Sequence, residues 1–294
     1  MSNILGQGSG SSDLDMDALL TGDPSLASPP EIYLKITEII DQPAKTPKDA
    51  EEIIRHDPGL AARLLRLVNS AFYGFPGQIS SIARAITLIG MKELKDLVLA
   101  TVVVERFGRM PIKWMNMKEF WRLSVRCALL ASEIEKSLPN PAKLESVFVC
   151  ALLHEIGRLV IYAKIPELAR DVILLSEQGQ MKETEAERRT YGFDHYQLAA
   201  ELARRWHLPA VVVSTLDSHH APHEAGQFVE ETAVVVLACQ LSLAEVDTNQ
   251  PLEASLPGIE ALLGILGLEP ERLPDIIESA GENIEPVFQM LFQA

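Results

Sequence analysis

The chain has 294 residues, 47% of them hydrophobic, enough to bury the core of one large domain or two modest ones. With 41 acidic against 26 basic residues the net charge is -15, which disfavours nucleic acid or an anionic membrane as the main partner. No apolar run reaches the roughly 18 uncharged residues of a membrane span, and the N-terminus has neither a basic segment nor an apolar h-region, so a cytoplasmic protein without a membrane segment is expected.

Residues 1–28 are rich in Gly, Ser and Asp and lack an apolar period, which predicts a disordered arm. The string DLDMDALL within it is the exception, a candidate for a short partner-binding helix. From Pro29 helix punctuation is dense. Ile32, Ile36, Ile39 and Ile40 mark one helical face before Pro43. Thr46-Pro47 and Asp57-Pro58 each supply a cap followed by a proline at the first helical position.

The loop SAFYGFPGQISS places Phe72, Tyr73 and Phe75 too close together for one helical face. Its aromatics are expected to plug the core, with a binding surface as the alternative. Ser80 or Ser81 then caps IARAITLI, Gly90 ends it, and a longer helix follows. The two helix pairs of this half have the rhythm of helix-turn-helix DNA readers. Arg63 and Arg66 are, however, offset by Glu51, Glu52 and Asp57, and such a reader needs an excess of cations.

Asn116 caps a long helix with Phe120, Leu123, Cys127 and Leu130 on its apolar face. Asn140-Pro141 is read as opening a central apolar helix, VFVCALLHEIGRLVIY, interrupted by His154-Glu155. Burying such groups unpaired costs several kcal/mol, so both need partners. Two further helices lead to Asp194, which caps HYQLAAELARRW, and AVVVSTLDSHHAPHEAG ends in a histidine cluster. The segment ETAVVVLACQLSLAEVD contains a valine run that could pass for a strand, but no second strand is available to pair with it. The tail from Gln250 reads as amphipathic helices, either a solvated cap on the domain or a dimer surface. Cys127, Cys150 and Cys239 all lie in apolar helical segments, as reduced buried thiols do.

His154, His195, His219 and His220, with Glu155, form a set of imidazole and carboxylate groups suited to a single Fe or Zn ion. The competing expectation is a structural His154-Glu155 pair tying the central helix to its neighbours. His56, His207 and His223 are read as ordinary core or surface residues.

An apolar helix with His, an acid and Ile-Gly, then a capped His before a Trp-x-Leu-Pro turn, then a His-His pair, resembles the HD superfamily of metal-dependent phosphohydrolases. RHDPGLAARLLRLVNSAFYGFPGQISSIARAITLIGMKELKDLVLA is very similar to the first half of the HDOD domain, the HD-related output domain of bacterial signalling proteins. The likeness runs from about Pro29 to Asp247. It implies an all-α fold, an HD-like helical bundle over residues 113–247 with an N-terminal helical subdomain, 29–112, packed on it; the amphipathic tail adds a helical extension over 248–294.

The resemblance also exposes departures. The first ligand position of an active HD enzyme aligns with Leu123, the His-Asp doublet reads His154-Glu155, and the last acidic ligand aligns with Cys239 in Ala238-Cys239. The degenerate set implies a non-catalytic signalling module that binds a protein partner or small ligand, with no cofactor required and a homodimer as a further state. The alternative is a metal-dependent phosphohydrolase acting on a nucleotide or cyclic dinucleotide, although HHAPHEAGQF lacks the Gly-Tyr-Pro segment of the relatives that cleave cyclic dinucleotides.

Overall fold

Helix starts are set by side chains that accept the N–H groups of a first turn, which have no partner inside the helix. In this computed structural model, Asp57 accepts from the Leu60 N–H at 2.9 Å, Ser81 from Arg84 at 3.2 Å, and Asn116 from Lys118 and Glu119. Asp194 and Gln197 cap reciprocally, at 2.9 and 3.0 Å. The structure describes residues 14–22, 26, 28–40, 42, 44–108, 110, 112, 115–140, 144–179, 181–244, 256 and 258–292.

Every regular element of length among these is a helix. The first half comprises α1 (Met16–Thr21), α2 (Glu31–Ile40), α3 (Pro47–Arg55), α4 (Pro58–Val68), α5 (Ile82–Ile89) and α6 (Met91–Gly108). The second comprises α7 (Met117–Ser137), α8 (Val147–Leu153), α9 (Ile156–Lys164), α10 (Pro166–Glu177), α11 (Glu183–Tyr191), α12 (His195–Arg205), α13 (Ala210–Asp217) and α14 (Val229–Leu243). The tail supplies α15 (Ile259–Leu266) and α16 (Leu273–Phe292).

Helix α7 is the axis of the molecule, flanked by α8, α14 and α16. Helix α14, whose valine run is helical and not a strand, buries Thr232, Val234, Val235, Leu237 and Leu241 around most of its circumference. A helix apolar on nearly all sides belongs at the centre of a bundle. Helix α6 lies against α2, α4 and α8 and joins the N-terminal helices to the rest.

Three expectations change. The arm is not disordered throughout: α1 buries Leu19 and Leu20, Leu26 is fully buried, and the Trp206 indole donates to the Leu26 carbonyl at 2.9 Å. Burying a large leucine stabilises by about 2 kcal/mol, enough to begin offsetting the ordering of a short segment. Residues 1–13 lie outside the described residues. The central apolar stretch begins as a helix at Val147, after a left-handed Ser146 (φ 54°), and not at Asn140-Pro141; residues 141–143 lie outside the described residues. It is also two helices, because the chain turns at His154 and Glu155.

The tail is built into the bundle. Helix α16 packs along α7 and also meets α4 and α6, burying Leu273, Ile276, Val287, Phe288 and Leu291. Leu123, expected beside a metal site, instead lines a groove against α16 with Ile284 and Glu285. Arg63 is buried and pairs with Glu105 at 2.6 Å, which removes it from any phosphate-contacting surface.

Candidate functional site

The turn at His154-Glu155 lifts both side chains out of the α8–α9 axis into a pocket closed by α7, α12, α13 and α14. His154 donates from Nδ1 to the Ala151 carbonyl at 2.6 Å, which points Nε2 into the pocket. Nε2 stands 3.6 Å from Glu155 Oε1. From α12, His195 donates from Nδ1 to Glu187 Oε2 at 2.6 Å, and its backbone N–H reaches the same oxygen at 3.1 Å. Its Nε2 faces Glu155 Oε2 at 3.7 Å.

The close approach of α9 and α12 depends on Gly157. A Cβ there would lie 1.9 Å from the His195 carbonyl oxygen and 2.9 Å from the Ala199 nitrogen. Only a residue without a side chain lets the two backbones meet and carry Glu155 and His195 to one place.

His219 reaches the pocket from the end of α13, its ring 5.3 Å from that of His154 and 4.4 Å from Tyr196, which also covers His195 at 4.0 Å. Its neighbour His220 is exposed. Of the five predicted side chains, the fold therefore gathers His154, Glu155, His195 and His219 and leaves His220 at the surface.

Sequence reasoning missed three members. Arg158, one turn after Glu155, places Nε 2.7 Å from Glu155 Oε2 and a terminal nitrogen 3.1 Å from Glu183. The first contact is a charge pair whose N–H is not aimed at the oxygen, since both atoms lack a hydrogen bond of good geometry. Glu187 is 1% exposed, and its burial inside the charged segment KETEAERR leaves no periodic signal. Cys127, one helical turn beyond Leu123, is the α7 residue that hydrogen-bonds Cys239.

Charges in the pocket neutralise one another. A hydrogen bond from Cys127 holds the Cys239 thiol well below its usual range, against burial and with help from His154 and His219. Burial alone would lower His154, but Cys239 and Glu155 outweigh it and raise the imidazole to about 9. Burial works to raise Glu155, and Arg158, His195 and His154 overcome it and keep the carboxyl below its ordinary value. Burial depresses His219. His154 and Cys239 therefore shift in opposite directions toward a charged pair, beside the contact of the Glu155 carboxylate with the Arg158 guanidinium.

Among the described residues no group of three or more His, Cys, Asp or Glu side chains is disposed to hold a metal ion. Glu155 already faces a guanidinium, and an added cation would have to displace it. Three buried atoms of the cluster, His195 Nε2, His219 Nδ1 and Glu155 Oε2, have no hydrogen-bond partner; His195 Nε2 and Glu155 Oε2 face each other at 3.7 Å. No helix among the described residues is long and apolar enough to cross a membrane.

Comparison with known proteins agrees with the fold. The family model for the HDOD domain matches residues 26–222. An uncharacterised protein of Treponema pallidum is 25% identical over 226 residues, 76% of this chain and 43% of its own length. The chain thus spans less than half of the curated relative it matches. Among solved structures, an HDOD domain protein of unknown function from Geobacter sulfurreducens superposes with a TM-score of 0.70 at 24% identity, covering 95% of this chain and 97% of the other. A candidate phosphohydrolase from Shewanella amazonensis SB2B gives 0.71 at 23%, covering 94% and 98%. A candidate signal transduction protein from Marinobacter aquaeolei VT8 gives 0.66 at 19%, covering 90% and 59%.

Proposed function

We propose, from the premise that this chain belongs to the HDOD domain family, that it is a non-catalytic regulatory module of bacterial signalling. In this reading it engages a protein partner or a small ligand through its helical surfaces and its altered HD pocket. The observation that carries the reading is Arg158 on Glu155. A phosphohydrolase of the HD type needs a metal with an open position to generate hydroxide and cations free to meet the phosphate. Here the carboxylate of the doublet faces a guanidinium, that guanidinium is shared with Glu183, and the pocket's other cation, His154, faces Cys239.

His154 and Glu155 then act as structural residues. They hold the α8–α9 turn against α12, α13 and α14 and keep a fixed surface for recognition. The test is turnover of cyclic di-GMP and of a generic phosphodiester by the purified protein with Mn or Fe, alongside elemental analysis. No turnover and substoichiometric metal are expected. Activity that disappears in His154→Ala would establish the phosphohydrolase instead.

A further inference from the structure

At the other end of α8 lies a cavity of about 500 Å³, between the N-terminal helices and the HD-like bundle. One wall is aromatic: Phe72 sits 5.0 Å from Tyr73 and 6.0 Å from Phe148 between ring centroids. Ile89, Leu144 and Val147 extend it. The lining also carries Glu93 and Asp96 from α6, Glu135 from α7, and the lysines Lys92 and Lys136.

Both lining lysines are ion-paired with carboxylates other than Glu93, Asp96 and Glu135. Lys92 pairs with Glu145 at 2.7 Å and Lys136 with Glu133 at 2.7 Å. Among the described residues none of the three carboxylates forms an ion pair, and Glu93 and Asp96 accept from neutral hydroxyls. Tyr73 donates to Glu93 at 2.5 Å, and Ser146, in its left-handed conformation, donates to Asp96. The aromatic wall already tolerates a cation, since the Lys136 ammonium stands 4.5 Å from the centre of the Phe72 ring. Charge–ring attraction and uncompensated carboxylates favour the same sign of guest.

We propose that this junction cavity binds a small organic cation, an ammonium carried on an apolar or aromatic body. A bare metal ion is disfavoured, because these carboxylates are not disposed to chelate one. The volume suits a compact small molecule with its apolar part against Phe72 and Phe148. The inference stands apart from the reading of the histidine pocket, and loss of either leaves the other intact.

The cavity's own titration supplies a second signature. Burial raises Asp96 to about 7, with Glu93 adding repulsion against Ser146, Lys92 and Lys95. Burial likewise raises Glu135 to about 7, with Glu93 and Asp96 opposing Lys136 and Lys92. Tyr73 stays neutral, raised by burial and by Glu93. A bound ammonium favours the ionised carboxylates, so binding releases protons and tightens as pH rises through about 7.

The experiment is calorimetric titration of the full chain with phenethylammonium chloride, 2-phenylethanol and 3-phenylpropionate. Saturable one-to-one binding of the ammonium is expected, at least roughly tenfold tighter than the alcohol, with the anion not binding. Affinity should fall roughly tenfold from pH 8 to pH 6 for one linked proton. Glu135→Gln, half-buried at the cavity edge, and Phe72→Leu, on the loop, should each weaken it several-fold while thermal unfolding stays cooperative. Absence of saturable binding, equal affinity for the alcohol, or unchanged affinity in both folded variants would overturn the proposal.

Discussion

At the C-terminal end of α8, His154, Glu155, Arg158, His195, His219 and Cys239 interlock, with Glu155 against Arg158 and His154 against Cys239 and Glu155. At its N-terminal end, Glu93, Asp96 and Glu135 line open space and repel one another, while the neighbouring lysines are committed elsewhere. The first cluster is tied together by charge pairs and stacked rings, while the second surrounds a cavity of about 500 Å³. The difference teaches that ancestral position and free chemical capacity need not coincide in one fold.

The sharpest way to break the first cluster is Gly157→Ala. The added methyl would meet backbone, not a movable side chain, so a loss of about 3 kcal/mol or more in urea denaturation is expected. Arg158→Met comes next. It strands the buried Glu155 carboxylate and should cost about 3 kcal/mol, and most of this should return in the Arg158→Met/Glu155→Gln double variant. Because Glu155's folded value is lowered, its contribution is present above the ordinary carboxylate range and is lost as pH falls through that range.

Cys239→Ala has a smaller effect on stability and a clear spectroscopic one. The His154 resonance should titrate near 9 in the parent and move down in the variant, once burial acts with less opposition. The raised imidazole stabilises fully below its unfolded value of 6.5, and that contribution fades as pH rises through about 9. In the second cluster the sign reverses. Ionising Asp96 opposes folding, so its penalty grows from its unfolded value of 3.8 up to about 7. Asp96→Asn should therefore raise Tm by about 2 °C at pH 8 and not at pH 4, the smallest of these effects.

Much of the fold was legible because caps are local. Asp57, Ser81, Asn116 and Asp194 each sit where a hydroxyl, amide or carboxylate can reach the next turn, and each does so in three dimensions. The pairing demand of His154 and Glu155 was also readable, since ionisable groups in an apolar run need partners. Their partners were not. Arg158 lay in plain view one turn along, but nothing in a single sequence separates an inward arginine from a solvated one.

Leu123 and Cys127 are one helical turn apart on α7, and only packing decides that Leu123 lines the groove against α16 while Cys127 meets Cys239 on α14. His219 and His220 are adjacent, and the end of α13 decides which of them turns inward. The junction cavity left little trace beyond the aromatic loop, because its carboxylates come from two helices separated in sequence by the whole of the connector. The packing expectation for that loop holds, since Phe72 and Tyr73 pack against the core, and both also line the cavity.

Helix α8 has only 7 residues, a rod about 10 Å long with no room to bend. Ser146 at one end bonds Asp96 in the cavity, and His154 at the other end bears on Glu155, His219 and Cys239. One helix of 7 residues therefore begins at a cavity wall and ends in the histidine cluster, so the two sites share a single short element of the fold.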